Sequence, residues 1–120
     1  GAAVACPHRR VVNFQADGSA LYSTPALWCQ SREGLDVTTI ICKNDAYRIL
    51  DVERATQGLG SGGSQSKRLT DLSGPSIDWV SLARGYGVQG VSVKTAVDLR
   101  MALAESFRTP GPFLIEACIQ

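Results

Sequence analysis

Asp17 and Asn44 stand 27 positions apart, each directly after an apolar run: Ala16-Asp17-Gly18-Ser19 follows the first and Lys43-Asn44-Asp45-Ala46-Tyr47 the second. A carboxylate and a carboxamide brought side by side are hard oxygen donors. They suit Mg²⁺, which takes about six oxygens near 2.0–2.1 Å and fills part of its shell with water and substrate phosphates. Gly18 lets the backbone pass close to an anion, and the amides of Gly18 and Ser19 can point at it. Each motif alone also fits an ordinary strand-ending turn. The chemistry depends on whether the two runs are neighbouring parallel strands, whose ligands bind outside the carboxyl ends.

The elements around these residues favour that arrangement. Val11 to Gln15 reads as a short strand, and Leu35 to Cys42 as a β-branched strand of the type buried on both faces. Between them Thr24 and Pro25 mark a helix start, with Thr24 as the expected cap, and Gly34 is placed to end the helix Pro25 to Glu33. A helix is expected from Ala46 to about Gln57, its positive end aimed at an anion near Asn44. Ser76 is the expected cap of a helix from Ile77 to Arg84, Val88 to Lys94 reads as a strand, and Thr95 caps Ala96 to Arg108. Phe113 to Ile119 is the final strand. Four strands alternating with helices predict an α/β domain of three layers, a mostly parallel sheet with helices on both faces. The Gly- and Ser-rich stretch 58–75 is expected to be a flexible loop, read equally well as a site cover or a solvated linker. Lys67 and Arg68 within it receive no site assignment.

At this level the chain resembles a known family. Asp17-Gly18-Ser19, the Pro25-Ala26-Leu27-Trp28 helix, Arg32-Glu33-Gly34-Leu35-Asp36-Val37-Thr38, and Asn44 with Tyr47 three residues on are similar to the diphosphate-binding domain of thiamine-diphosphate enzymes. Within it they look most like acetolactate synthase-like and benzoylformate decarboxylase-like members. Ile77 to Val88 and the ending Gly111 to Ala117 extend the resemblance over nearly the whole chain. It implies that Asp17, Asn44 and the backbone carbonyl of Ala46 hold Mg²⁺. It also implies that Gly18, Ser19 and Tyr47 lie at the thiamine diphosphate, and that the enzyme acts on 2-oxo acids by carboligation or decarboxylation. A benzoylformate-type decarboxylase, or a non-catalytic α/β assembly domain, is the alternative. Two positions depart from the family pattern: Ala16 replaces the first Gly of Gly-Asp-Gly, and Lys43 the first Asn of Asn-Asn. Lys43 can reach the diphosphate, compete with the metal or face solvent, and Asp45 adds a carboxylate beside the site.

The resemblance further implies a second, pyrimidine-binding domain, which supplies an activating glutamate, normally from a partner subunit of a homo-oligomer. At 120 residues the chain is one domain by length. Its opening, Gly1 to Cys6 before Pro7, reads as the last turns of a small-residue helix. The expectation is therefore a piece of a longer enzyme, truncated at its N-terminus, that carries no catalytic residue of its own and is inactive alone. A formal net charge of +1 without a basic stripe argues against nucleic acid, and no apolar run is long enough to span a membrane. Cys6, Cys29, Cys42 and Cys118 lack zinc-site spacing. Three of them sit in apolar elements, where buried free thiols are expected, consistent with a cytoplasmic location. Trp28 and Trp79 are expected to pack, and His8 has no evident partner.

Overall fold

Two β-branched runs form the middle of the sheet. The computed structural model describes residues 1–60 and 62–119. Strands β1 (Val11–Ala16), β2 (Val37–Lys43), β3 (Gln89–Val93) and β4 (Phe113–Cys118) pair in the order β1-β2-β4-β3, every pair parallel. The central strands β2 and β4 are buried over most of their length, whereas edge strand β1 alternates half-buried and exposed residues. This is how strands covered on two faces and on one face differ.

Seven helices surround the sheet among the described residues: α1 (Ala2–Ala5), α2 (Asp17–Ala20), α3 (Pro25–Arg32), α4 (Arg48–Thr56), α5 (Ser64–Thr70), α6 (Trp79–Gly85) and α7 (Ala96–Arg108). Leu27 of α3 and Trp79 and Ala83 of α6 pack on Ile41 and Leu114, making one core layer. Ala102 of α7, with Leu99 and Leu103, packs on Ile40, Ile115 and Val93, making the other. Helices therefore cover both faces, as expected for the α/β class.

At the amino ends of the central strands, buried Arg10 donates to the Thr38 hydroxyl, the Asp36 carboxylate and the carbonyls of Thr109 and Gly111. One planar guanidinium thus joins the starts of β2 and β4 and the end of α7.

Several local expectations are corrected. Thr24 precedes α3 in helical rather than extended conformation and makes no side-chain cap, because the chain already turns from α2 through the bond from the Ala26 amide to the Ser23 carbonyl. Helix α6 begins at Trp79 and is capped by Asp78, which accepts from the Ser81 amide at 2.8 Å. Ser76 instead donates to Asp45. The fourth helix starts at Arg48, not Ala46, since Ala46 forms an antiparallel bridge with Asp71. That bridge also organises the segment expected as a loop. The Tyr47 amide donates to Thr70 and the Leu72 amide to Asp45, and between Gly63 and Asp71 the chain forms α5. Ser61, in the same segment, lies outside the described residues. Cys6 and Cys29 are exposed and Cys42 and Cys118 half-buried, so the thiols are free but not enclosed. Trp79 is enclosed; Trp28 is half-exposed with the Arg32 guanidinium 4.8 Å over its ring, because Leu27 takes the core-facing position of α3.

Candidate functional site

The register sets the site. Ala16 pairs with Cys42, so Asp17 leaves β1 beside the end of β2, where the chain turns at Asn44. Asp17 opens the single turn of α2 and is 2% exposed. Its Oδ2 accepts the amides of Asn44 at 2.9 Å and Asp45 at 2.7 Å, and its Oδ1 accepts the amide of Gly18 at 2.9 Å. Three N–H donors and no acceptor are the partners a carboxylate anion takes. Among the described residues no cation lies within ion-pair distance of it. A buried charge in that position calls for a counter-ion.

The Asn44 side-chain oxygen turns back to accept the Ala46 amide at 3.0 Å, which fixes the orientation of its carboxamide. Asp45 adopts a left-handed backbone, φ 54°, tolerated by Asp more readily than by branched residues. This turn sends the Asp45 carboxylate away from Asp17 to the Ser76 hydroxyl at 2.8 Å. In the loop the carbonyls of Asp45 and Tyr47 accept from Leu72 and Leu50, whereas that of Ala46 accepts none among the described residues.

The Tyr47 ring closes over Gly18. A β-carbon added at Gly18 would stand 2.5 and 2.6 Å from two ring carbons, so only glycine admits the ring there unmoved. The Tyr47 hydroxyl keeps its proton to higher pH than usual, chiefly because the neighbouring Tyr22 oxygen favours its donating form and secondly because burial disfavours the phenolate. Cys42 has its thiol pKa raised by burial first and by the Asp17 charge second. Ser19 is exposed in the first turn of α2, where helix geometry supplies no acceptor for its amide. Gly18 differs from expectation, since its amide is directed at Asp17 rather than outward.

Lys43 resolves the alternatives left open for it. Its ammonium group donates to the Ile77 carbonyl at 2.8 Å and lies 3.7 Å from Glu116 and 3.9 Å from Asp45. It is folded into the protein, neither facing solvent nor turned to Asp17. Glu116, 6% exposed, also accepts the Trp79 amide and the Ser92 hydroxyl. This network went unseen in the sequence because Lys43, Ser92 and Glu116 meet only through the strand order.

Asp17, Asn44 and Ala46 thus offer a carboxylate oxygen, an amide oxygen and a free carbonyl. No group of three His, Cys, Asp or Glu side chains forms a metal cage among the described residues. An oxygen-only set this sparse fits an ion that completes its shell from water and phosphate, and excludes a thiolate or imidazole site.

This layout is that of a parallel α/β domain with an oxygen-donor cluster at the carboxyl ends of its strands. Residues 1–117 match the family model for the thiamine pyrophosphate enzyme, C-terminal TPP binding domain, and the chain belongs to that family. It is 45% identical over 99% of its length to a Mycobacterium tuberculosis protein named "putative acetolactate synthase large subunit IlvX", covering 23% of that protein. It is 32% identical over its whole length to benzoylformate decarboxylase of Pseudomonas aeruginosa, covering 21% of it. Among solved structures, the thiamine diphosphate-dependent 4-hydroxybenzoylformate decarboxylase of Rhodococcus jostii RHA1 superposes with a TM-score of 0.85 at 36% identity, over 96% of this chain and 20% of that one. The chain therefore spans about a fifth of the length of these relatives. No helix among the described residues is long and apolar enough to cross a membrane.

Proposed function

We propose that this chain holds the diphosphate end of thiamine diphosphate through Mg²⁺ and forms part of an acetolactate synthase-like enzyme acting on 2-oxo acids. The observation that carries the reading is the Asp17 carboxylate: 2% exposed, held by three backbone amides, without a cation, and beside the Asn44 carboxamide. Oδ2 already accepts two N–H groups and Oδ1 one, so Oδ1 retains a lone pair for a metal. Asn44 and the Ala46 carbonyl would supply the next two oxygens, and Ser19 and Tyr47 would line the phosphates. Thiamine diphosphate, when bound, supplies the carbon nucleophile and electron sink for breaking or making a bond beside a 2-oxo carbonyl.

What these residues do is bind and orient. The amides of Asn44 and Asp45 fix the Asp17 carboxylate, Tyr47 shields it from one side over Gly18, and Lys43 with Asp45 is tied off toward Ile77 and Ser76. Relatives of four to five times its length motivate a second reading of its status. By itself it binds the cofactor weakly and turns over no 2-oxo acid, in a complete enzyme relying on a pyrimidine-binding domain from elsewhere. Acetolactate-type carboligation is favoured by the 45% identity to the large-subunit relative; a benzoylformate-type decarboxylation is the competing chemistry.

Calorimetric titration of the chain with thiamine diphosphate plus Mg²⁺ tests this. Heat of binding that disappears without Mg²⁺ and in Asp17→Ala is expected. No heat with the unaltered chain would reduce the domain to an assembly unit. Decarboxylation or acetolactate formation by the purified chain would refute its inactivity alone.

A further inference from the structure

Among the described residues, three buried polar side-chain atoms have no hydrogen-bond partner: Gln30 Oε1, Thr39 Oγ1 and Trp79 Nε1. All three residues line one narrow, partly open cavity of about 40 Å³, between α3, the start of α6 and the β1–β2 face of the sheet. Thr39 is 3% and Trp79 1% exposed, so bulk solvent reaches neither. Asn13 and Gln15 also line the cavity, joined by a bond from Gln15 Nε2 to Asn13 Oδ1 at 3.1 Å.

We propose that this cavity is a binding site for a structural water that joins α3, α6 and β2. The chemistry of the three atoms is complementary to a single water molecule. The indole N–H can only donate, the amide oxygen can only accept, and the hydroxyl can do either. A water accepting from Trp79, donating to Gln30 and bonded to Thr39 makes three hydrogen bonds, the usual number for a buried water. The volume suffices, since a water's share of liquid is about 30 Å³. Leaving the cavity dry would strand three groups in the interior, each at a desolvation cost, whereas cavities that stay dry are apolar. The location gives the water a role. Thr39 lies two residues before Ile41, which pairs with Gln15, and Gln15 lies two before Asp17. Trp79 donates its backbone amide to Glu116. The bridge therefore braces β2, which ends at Asn44 and pairs with the strand that leads to Asp17, against the helix whose first residue holds Glu116, independently of any cofactor.

A crystal structure of this chain at about 1.5 Å or better, paired with thermal melts of Thr39→Val, tests the site. The substitution keeps the side-chain shape and removes only the hydroxyl. One ordered water within hydrogen-bond distance of Trp79 Nε1, Thr39 Oγ1 and Gln30 Oε1 is expected, together with a melting temperature lowered by roughly 3–6 °C in the variant, the size of one lost buried hydrogen bond. In a dry cavity the same substitution would delete an unsatisfied group, and the melting temperature would rise. An empty cavity, side chains bonded directly across it, or an unchanged or raised melting temperature each overturns the proposal.

Discussion

Two carboxylates are buried at the same end of the sheet, Asp17 at 2% and Glu116 at 6% exposure, and their surroundings divide the labour of the molecule. Glu116 has an ammonium group at 3.7 Å and donors from Trp79 and Ser92. Asp17 has only backbone amides. The first charge is neutralised within the fold; the second is fixed in place with no ion-pair partner among the described residues. Burial alone therefore does not mark a site. Under the proposed function, what distinguishes Asp17 is that its partners are all peptide N–H groups.

This contrast is sharpest under amide substitution. Asp17→Asn removes the charge while nearly preserving shape, and should weaken Mg²⁺-dependent cofactor binding on the order of 1,000-fold, about 4 kcal/mol. The metal-free melting temperature should fall by only about 5 °C, the cost of one backbone N–H left facing the new amide nitrogen, since no cation loses its partner. Glu116→Gln should do the reverse. Lys43 is left half-enclosed without its main counter-charge, at a cost of about 3 kcal/mol and a melting temperature lower by roughly 10 °C, while binding stays within about threefold. Adding Lys43→Met to it should recover part of the loss; a double variant no better than the single would show that the pair is not the cause. If both amide variants lose binding and stability alike, the division of roles fails.

Gly18→Ala probes the contact between the two loops at smaller scale. The new methyl must displace the Tyr47 ring, which as a side chain can swing, so roughly tenfold weaker binding is expected with little loss of stability. The smallest effect is at Asp78, an exposed acid held below the usual carboxylate range mainly by the Ser81 hydroxyl, then by the Ser81 amide. A depressed folded-state pKa contributes stability that is present above the ordinary carboxylate value and lost as pH falls through the folded value. Acid melts should show this loss below about pH 4, and Asp78→Ala should flatten that limb and lower the neutral melting temperature by a few degrees.

The parts of this arrangement legible in the sequence are those governed by local pattern. The β-branched runs marked β1 and β2, Pro25 and Gly34 bracketed α3, and the 27-residue separation was enough to bring Asp17 beside Asn44. Thr95 caps α7 as expected, accepting the Asp98 amide at 3.1 Å. The rest depends on contacts between distant segments. Helix α5 has almost no apolar pattern of its own and is anchored by the bridge between Ala46 and Asp71. Ser76 was a reasonable cap by residue type, but the turn at Asp45 claims its hydroxyl, and Asp78 takes the role. Lys43 and Glu116 become neighbours only because β4 inserts between β2 and β3, a crossing that no local spacing encodes.

Arg10 gives the sheet a mechanical polarity. Its guanidinium fastens β2, β4 and the end of α7 at the pole opposite Asp17, through partners as far as 101 residues away in sequence. The carboxyl tips, where Asp17 and Asn44 stand, lie at the other end of the strands from this fastening. Loosening the rivet would blunt the tips from a distance, without touching one atom that meets the ligand.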